Sequence, residues 1–252
     1  MNVVESIKNP KVKQWRKLLT RKERDKTGMF IVEGFHLVEE ALKERDTVME
    51  VMISEEVEIP TSWNINNKQM TRLTHEVTKA LSDTESPQGV FAICYQTNSG
   101  EHLRGTSFLL IDSVQDPGNL GTMIRTADAA GMDAVILGTG TVDAYNPKVL
   151  RSAQGSHFHI PIYRQDLGRT IDVLKEKEVS IYGTALENGV NFSTVEMNSS
   201  FAILMGNEGS GVSRELLAKT DENLYIPIYG KSESLNVAVA AGILMYSGKA
   251  RQ

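Results

Sequence analysis

The sequence predicts an α/β protein with a mainly parallel sheet in its second half, and two observations support this. Short apolar runs, suited to strands buried on both faces, recur from residue 105 onward. Helical patterns separate these runs, and strands that alternate with helices are typical of parallel sheets. The expected strands are Phe108–Ile111, Ala134–Leu137, Val179–Tyr182, Ala202–Met205 and Leu224–Ile228. The expected helices are residues 119–130, 146–153, 166–177, 213–219 and 235–247.

The earlier part of the chain predicts a separate, smaller α/β domain. Its expected strands are Phe30–Val32, Val48–Ile53 and Val90–Tyr95. Apolar residues at helical spacing indicate helices around Val38 and Val77. A polar, turn-rich segment at 97–101 then marks a boundary. The expected parts are a small domain at 1–97, a linker at 98–104 and a larger domain at 105–252.

Charge is distributed unevenly along the chain. The net charge of −5 argues at first against a nucleic-acid partner, because contacts to phosphate supply much of such affinity. Residues 1–26, however, hold nine basic and three acidic residues, whereas the remaining 226 hold 18 and 29. A basic segment on an acidic body is one way to bind RNA. The alternative is a solvated amphipathic helix whose core-facing residues are Val12, Trp15, Leu18 and Leu19, and both interpretations can hold.

The cysteine content, the apolar runs and the histidines indicate the cellular setting and the absence of a metal. Cys94 is the single cysteine, so no intramolecular disulfide can form, and we expect a reduced, cytoplasmic setting. The longest apolar run, Val237–Tyr246, is too short to span a bilayer, so we expect no membrane association. His157 and His159 are predicted to alternate on a strand, but no Cys or further His stands near them. We therefore expect no metal site.

Three short segments place polar or glycine-rich turns where a predicted strand ends and a helix begins. Open α/β sheets assemble ligand sites at such turns. The segments are Asn119–Arg125, Leu204–Gly209 and Ile226–Ile228, the last running on to Ser234–Val237. The Gly-x-Gly-x-x-Gly fingerprint of dinucleotide-binding sheets is missing after the first strand of this domain. Its absence disfavours a nucleotide-binding oxidoreductase.

The first segment combines a helix start with an exposed cation. Asn119 is expected to be the N-cap of its helix. Gly121 lies one turn before Arg125, so its missing side chain leaves room for a ligand beside the guanidinium. Arg125 can then bind an RNA phosphate through two parallel hydrogen bonds. The alternative is a helix cap plus a surface ion pair between Arg125 and Asp128.

The second and third segments supply further polar groups. Gly206 directly follows its strand, where a missing Cβ permits close approach of a ligand. Glu208 can bind a hydroxyl or orient Arg125, and the alternative is an ordinary strand-to-helix loop. Ser234 offers a hydroxyl and Asn236 an amide, either to a ribose or to Arg125. For Ser234 the alternative is a helix N-cap.

The last predicted helix, 235–247, has almost no polar face and must be buried on nearly every side. A small monomer has little room for such a helix. Ala238, Ala241 and Gly242 would allow another helix to approach closely. A partner chain, or a central place in the core of one chain, would each provide the burial.

The order and residues of the three segments resemble the motifs of the SpoU (TrmH-like) branch of the SPOUT RNA methyltransferases. Ile31–Gly34 and Ser86–Val90 resemble the L30e-like substrate-binding domain that often precedes this catalytic domain. The resemblance implies S-adenosyl-L-methionine as cofactor, transfer of its methyl group to a ribose 2′-hydroxyl of RNA, and a homodimer. It also implies a C-terminal deep trefoil knot, which periodicity alone would never predict.

The resemblance further implies roles for individual residues. The catalytic set would be Asn119, Arg125, Glu208, Ser234 and Asn236. The cofactor-binding set would be Thr184, Gly206, Ile226, Ser234 and Leu235, with Ile226 and Leu235 lining the adenine pocket. Because an ordinary Arg stays protonated, we expect Arg125 to hold a phosphate and stabilise the developing alkoxide.

The expected substrate is ribosomal RNA, with 23S RNA first and transfer RNA as the alternative. A non-catalytic RNA-binding protein of L30e-like type, carrying a decayed methyltransferase domain, is the competing interpretation. The intact polar residues of the three segments argue against decay.

Overall fold

A computed structural model describes residues 2–44, 46–65, 69–96, 103–186 and 188–250. They form two compact units. Unit 1 comprises Met1–Asn98 and Tyr145–Phe158, and unit 2 comprises Ser99–Ala144 and His159–Gln252. The predicted break at 97–101, and all but the end of the predicted linker, lie outside the described residues. The segment Tyr145–Phe158 groups with unit 1, although the sequence suggested that it belongs to the second domain.

The elements follow in chain order. The helices are α1 (Pro10–Lys17), α2 (Arg21–Thr27), α3 (Phe35–Lys43), α4 (His75–Leu81), α5 (Pro117–Ala129), α6 (Pro147–Ala153), α7 (Leu167–Glu176), α8 (Arg214–Leu217) and α9 (Val237–Lys249). The strands are β1 (Asn2–Val4), β2 (Met29–Glu33), β3 (Val48–Ser54), β4 (Gln69–Leu73), β5 (Val90–Tyr95), β6 (Ser107–Ile111), β7 (Ala134–Leu137), β8 (Ile162–Arg164), β9 (Ser180–Thr184), β10 (Val190–Asn191), β11 (Phe201–Met205) and β12 (Glu222–Tyr225).

Unit 1 is built on a mixed sheet with the strand order β1-β4-β3-β5-β2. Strand β5 runs antiparallel to both of its neighbours, and the other pairs are parallel. On one face, Val12, Trp15 and Leu18 pack against Leu73 and Val77. The amphipathic helix predicted near the start of the chain is therefore confirmed, and its apolar side belongs to the core.

The opposite face of the unit 1 sheet receives part of the segment that returns from unit 2. Leu150 of α6 joins the core around Phe30 and Val38. The rings of Phe30 and Tyr145 lie 4.6 Å apart. Residues 145–158 therefore complete a core formed mainly by the first 98 residues, which local sequence periodicity does not reveal.

Unit 2 is built on a seven-stranded, fully parallel sheet with the order β10-β12-β9-β11-β6-β7-β8. Every residue of β6, β7 and β11 is buried, as expected for strands covered on both faces. The α/β class with a parallel sheet is confirmed. Among the described residues, no helix combines the length and apolar composition needed to cross a membrane.

The order in which strands are added to this sheet changes side at β6. From β6 it builds β7 and β8 on one side, and it then returns to place β11 on the other side of β6. Such a switch point opens a crevice at the carboxyl ends of the strands. The deep trefoil knot implied by the family resemblance stays a prediction.

Two sequence expectations about local structure are wrong. The strand expected at 224–228 ends at Tyr225, because the following Pro227 has no amide hydrogen to donate to a ladder. His157 does not lie on a strand with His159, because Ser156–Phe158 forms a 3-10 turn. The turn follows Gln154 and Gly155, which both have positive φ angles and end α6.

Candidate active site

The three predicted segments meet at the carboxyl edge of the unit 2 sheet. Strands β12, β9, β11 and β6 are parallel neighbours, so their last residues lie side by side. Thr184 ends β9, Gly206 directly follows β11, and Ile226 directly follows β12. The turn that leads to α5 follows β6. Four neighbouring strand ends therefore bring Thr184, Gly206, Ile226 and the turn before α5 to one edge of the sheet.

Helix α5 begins two residues earlier than expected. Its N-cap is Asp116, whose Oδ1 accepts a hydrogen bond of 2.8 Å from the main-chain nitrogen of Asn119. Both residue types are good caps, but Pro117 is favoured at the first helical position, which selects Asp116. The prediction that Asn119 caps the helix is therefore wrong. The side chain of Asn119 is free to contact the other two segments.

One chain of hydrogen bonds links the three segments. Asn119 donates from Nδ2 to Glu208 Oε1 at 3.1 Å. Its Oδ1 accepts from Nδ2 of Asn236 at 2.9 Å. Asn236 in turn caps α9, since its Oδ1 accepts from the main-chain nitrogen of Ala238 at 2.9 Å. We name Glu208, Asn119 and Asn236 the three-segment network.

Glu208 is the most heavily hydrogen-bonded member of this network. Besides Asn119, the main-chain nitrogens of Asp116 and Gln115 donate to its two carboxylate oxygens at 3.0 and 3.2 Å. Partial burial raises the pKa of Glu208, but these hydrogen bonds outweigh it and hold the pKa below its ordinary value. Glu208 is therefore ionised at neutral pH and fixes the start of α5 to the loop after β11.

Gly206 allows that loop to fold tightly. A Cβ at this position would collide with the main chain of Gly211 and Val212. The loop is closed by two main-chain hydrogen bonds of 3.0 Å between Asn207 and Gly211. The close approach predicted at Gly206 is thus made by its own chain, and the glycine is needed to form the turn that carries Glu208.

Arg125 lies on the exposed side of α5, two turns into the helix. Within the described residues its guanidinium has no hydrogen bond and no ion pair. The alternative ion pair with Asp128 is wrong, because Asp128 instead contacts Nδ1 of His159 at 2.9 Å. No contact joins Arg125 to Glu208 either, so the predicted orienting contact is absent from the described chain. The Arg125 guanidinium is available to an external anion.

The helix cap near the third segment is Asn236 and not Ser234. Asn236 is the N-cap of α9, so the N-cap alternative for Ser234 is wrong. The preference follows from geometry, since Asn236 directly precedes the first helical residue and also reaches Asn119. Ser234 is exposed, and within the described residues its hydroxyl has no hydrogen-bond partner. That hydroxyl remains free to contact a ligand.

The residues expected to hold the cofactor form a partly apolar rim. Ile226 and Ile228 are half-buried, and Leu235 is 38% exposed. Within the described residues, the main chain of 228–235 donates no hydrogen bond, so its amides are available to a ligand. Thr184 donates its hydroxyl to the main-chain oxygen of Leu204 at 3.0 Å, which fixes β9 to β11. Apolar side chains beside free main-chain donors fit a planar, hydrogen-bonding group such as adenine.

Sequence reasoning missed Asp112, which directly follows β6 and stabilises the loops of the site. Its carboxylate accepts from the main-chain nitrogen of Ser213 at 2.9 Å and from the hydroxyl of Ser113 at 3.0 Å. Ser113 adopts a positive φ of 59°. An acidic residue directly after a buried strand was the available signal. Asp112 ties the end of β6 to the loop that carries Glu208.

Comparison with known proteins agrees with this geometry. Residues 106–246 match the model of the SpoU rRNA Methylase family, and residues 9–92 match the MRM3-like substrate binding domain. The 23S rRNA (guanosine(2553)-2′-O)-methyltransferase RlmP of Bacillus subtilis is 54% identical over 246 residues, which are 98% of each chain. A putative TrmH family tRNA/rRNA methyltransferase of Staphylococcus epidermidis is 32% identical and covers 86% of this chain and 93% of its own.

Solved structures show the same fold over nearly the whole chain. The AdoMet-bound rRNA methyltransferase from Sinorhizobium meliloti has a TM-score of 0.89 at 32% identity, covering 99% of this chain and 97% of its own. The SpoU methyltransferase AviRb from Streptomyces viridochromogenes, in complex with AdoMet, has a TM-score of 0.85 at 25% identity, covering 97% and 98%.

Proposed function

The chain belongs to the SpoU rRNA methylase family of S-adenosylmethionine-dependent RNA 2′-O-methyltransferases, and we propose that its substrate is 23S ribosomal RNA. The relative that is 54% identical acts on a guanosine of 23S rRNA, and we extend both the RNA and the base to this chain. A cytoplasmic location is part of the proposal, because the relative that is 54% identical is bacterial and bacterial ribosomal RNA is made in the cytoplasm.

The observation that carries the catalytic proposal is the three-segment network together with Arg125, which lies farther along α5 and has no partner among the described residues. S-adenosylmethionine supplies a methyl group that its sulfonium already activates. The chain must therefore mainly align a ribose hydroxyl and stabilise the charge that develops on it. The network fixes the N-terminal turn of α5. Arg125, two turns along the same helix, then holds an RNA phosphate and stabilises the alkoxide.

The remaining proposed roles follow from position. Ser234 offers its free hydroxyl to a ribose or to Arg125. Ile226 and Leu235 line the adenine site, and main-chain groups between them bind the edge of the base. Thr184 and Gly206 shape the floor of that site, Thr184 through its hydrogen bond to Leu204.

Contact with RNA by α1 and α2 is supported by the exposure of their basic side chains. The exposed ones, with Lys8 before α1, are Lys8, Lys13, Arg16, Lys17, Arg21, Lys22 and Lys26. The apolar residues of α1 face the core, so this basic surface is presented on a fixed support. Clustered cations on one surface are the electrostatic signature of nucleic-acid binding.

A homodimer through α9 is also part of the proposal. Val239, Ile243 and Tyr246 form one stripe at helical spacing, and Val239 and Tyr246 are 52% and 51% exposed in the single chain. The sequence required burial on nearly every side of this helix, and one chain leaves this stripe uncovered. A second copy of the chain would cover it. Val239→Asp should convert the dimer to a monomer in sedimentation velocity, whereas Val173→Asp, at an exposed valine of α7, should leave it intact.

The function is tested by incubating purified protein with labelled S-adenosylmethionine and unmodified 23S rRNA, 16S rRNA or transfer RNA. We expect label in 23S rRNA, in a nucleoside that resists alkaline cleavage because its 2′-hydroxyl is methylated. Label in transfer RNA alone would replace the proposed substrate and keep the reaction. Binding of RNA without methylation, by folded protein that S-adenosylhomocysteine does not stabilise against heat, would favour the non-catalytic interpretation.

A further inference from the structure

A cavity in unit 1 has no part in the proposed methyl transfer. It lies between the turn after β3, helix α4 and the loop that leads into β5. Its volume is about 190 Å³, smaller than sites for drug-sized ligands, so its occupant must be a small group. The whole cavity belongs to unit 1.

The walls of the cavity are fixed by the chain itself. Nη1 of Arg72 donates to the main-chain oxygens of Ser54 and Val57, at 2.9 and 2.8 Å. The main-chain nitrogen of Ser54 also donates to the oxygen of Gly89 at 2.7 Å. Gly89 has a φ of 74°, and a Cβ there would press on Ser54 and Val57. The turn is thus held in shape without a ligand.

Thr78 lines this cavity and carries an unsatisfied polar group. The residue is 5% exposed, and its hydroxyl has no hydrogen-bond partner among the described residues. Buried hydroxyls are normally paired, because leaving one unpaired destabilises the fold. Threonine in a helix readily adopts two side-chain rotamers, so rotation about its Cα–Cβ bond can turn the hydroxyl toward the cavity. A ligand in the cavity would supply the missing partner.

The rim offers further free groups of both kinds. Lys79 and Glu85 have no hydrogen bond or ion pair within the described residues. Oε1 of Gln88 accepts from the main-chain nitrogen of Phe35 at 3.0 Å, which fixes the amide, and its Nε2 donates to none of the described residues. Nδ1 of His75 lies 3.5 Å from Oε2 of Glu56. The rim therefore combines donors with acceptors.

This composition selects one class of ligand. The lining carries two carboxylates, Glu56 and Glu85, and one lysine, Lys79. This excess of negative charge disfavours a phosphate or another anion. Val57 and Pro87 give apolar walls, and the imidazole of His75 gives a flat surface on which a ring can stack. A neutral, planar ring with donors and acceptors along its edge matches all of these groups. A nucleobase is such a ring.

We propose that this cavity binds one unpaired base of the RNA substrate, with Thr78 and Gln88 contacting its edge. The inference rests on the proposed function, since residues 9–92 match a substrate-binding domain and include the whole cavity. Sequence-specific RNA recognition generally uses unstacked bases, which proteins stack and hydrogen-bond at their edges.

The sharpest variant is Thr78→Val, which replaces the unpaired hydroxyl with a methyl group of similar size. We expect the melting temperature to rise, because an unpaired buried polar group is removed. RNA affinity should fall by about two- to ten-fold, the contribution of one neutral hydrogen bond. The salt dependence of binding should stay unchanged, since no charge is altered.

The matched control is Thr71→Val in the same unit. Thr71 is also buried, but its hydroxyl donates to Glu50 at 2.6 Å. This variant should lower the melting temperature and leave the RNA affinity of the folded protein unchanged. A Thr78→Val protein that is more stable but binds RNA like the wild type would overturn the proposal. So would a Thr78→Val protein that is less stable, because the hydroxyl would then already have a partner.

A second measurement does not depend on RNA methylation. The full chain, labelled at its methyl groups, is titrated with the four nucleosides and with ribose 5-phosphate, and the methyl signals of Val57 and Thr78 are followed by NMR. We expect at least one nucleoside to shift both signals and ribose 5-phosphate to shift neither. A response to ribose 5-phosphate, or none to any nucleoside, would reject the base site. Neither result would touch the methyltransferase assignment, which the labelling of 23S rRNA tests separately.

Discussion

Unit 2 and unit 1 hold their proposed functional side chains in different ways. In unit 2, Glu208, Asn119 and Asn236 are joined by hydrogen bonds that tie three distant segments together. In unit 1, most basic side chains of α1 and α2 are exposed, Arg24 being buried, and the apolar side of α1 packs into the core. The proposed function of unit 2 depends on the exact geometry of its hydrogen bonds. The proposed RNA binding by unit 1 depends on the number of its positive charges. Substitutions in unit 2 should therefore cause abrupt losses, and those in unit 1 graded ones.

The largest effect is expected from Arg125→Ala. The rate at saturating substrate should fall by about 10²–10³-fold, because one group that stabilises charge in the transition state is removed. Affinity for S-adenosylhomocysteine, measured by calorimetry, should remain within about two-fold, since the proposed contacts of Arg125 are to RNA. Arg169→Ala, at an exposed arginine of α7, is the matched control and should keep full activity. Loss of cofactor affinity with a normal rate would contradict the role given to Arg125.

The next effect concerns the basic surface of unit 1. Replacing Lys13, Lys17 and Lys22 together by Gln should weaken RNA binding by about ten- to a hundred-fold near physiological salt. The slope of log affinity against log salt should fall by a little under one unit for each RNA phosphate that the variant no longer neutralises. The rate at saturating RNA should change little. If the salt slope of the folded variant is unchanged, these lysines do not contact RNA and form only the solvent-facing side of the helices.

Glu208→Gln should give a smaller loss that reports on geometry. Four donors, from Asn119, Asn207 and two main-chain amides, point at this carboxylate. A Gln side chain has one acceptor oxygen, so some donors are left without a partner. We expect about a ten-fold lower rate and a destabilisation of about 1 kcal/mol, because the group is solvent-exposed. Glu215→Gln, at an exposed residue of α8, should change neither quantity.

The smallest effect is a pH dependence of stability in unit 2. Oδ2 of Asp133 accepts from the main-chain nitrogens of Thr106 and Ser107 and from the hydroxyl of Ser107, at 2.7–2.9 Å. Burial raises the pKa of Asp133, but these hydrogen bonds outweigh it and lower the pKa overall. A lowered pKa stabilises the fold above the unfolded pKa of about 4, and the stabilisation disappears as pH falls through the folded pKa.

Asp133→Asn should therefore melt about 2–4 °C below the wild type at pH 7. The difference should shrink progressively below about pH 4, where the wild-type carboxyl becomes protonated. Melting curves of both proteins across this range give the comparison. A constant difference down to pH 2 would mean that titration of Asp133 does not contribute.

The sequence predicted the part of the fold that follows from periodicity. Buried runs such as Phe108–Ile111 indicated the parallel sheet because every residue in them is apolar. Short strands with polar residues, such as β4 and β10, showed no such pattern. The place of Tyr145–Phe158 in unit 1 was also hidden, because it depends on contacts between residues more than 100 positions apart.

The candidate site was predicted as a set of residues but not as a set of contacts. The three motifs located Asn119, Glu208 and Asn236 in the chain, yet the cap assigned to Asn119 and the cap left as an alternative for Ser234 are both wrong. Asp116 and Asn119, like Ser234 and Asn236, are pairs of good capping residues, and only the folded geometry decides between them. The roles given to all these residues stay proposals until their variants are measured.

The central claim is that unit 2 methylates a ribose of 23S rRNA through Arg125. Its most direct test is to map 2′-O-methyl groups in 23S rRNA from cells that lack the gene, complemented with the wild type or with Arg125→Ala. We predict that one ribose methyl group, on a guanosine, disappears with the gene and is restored by the wild type alone. A methylation pattern that is unchanged without the gene, or that Arg125→Ala restores fully, would contradict the claim.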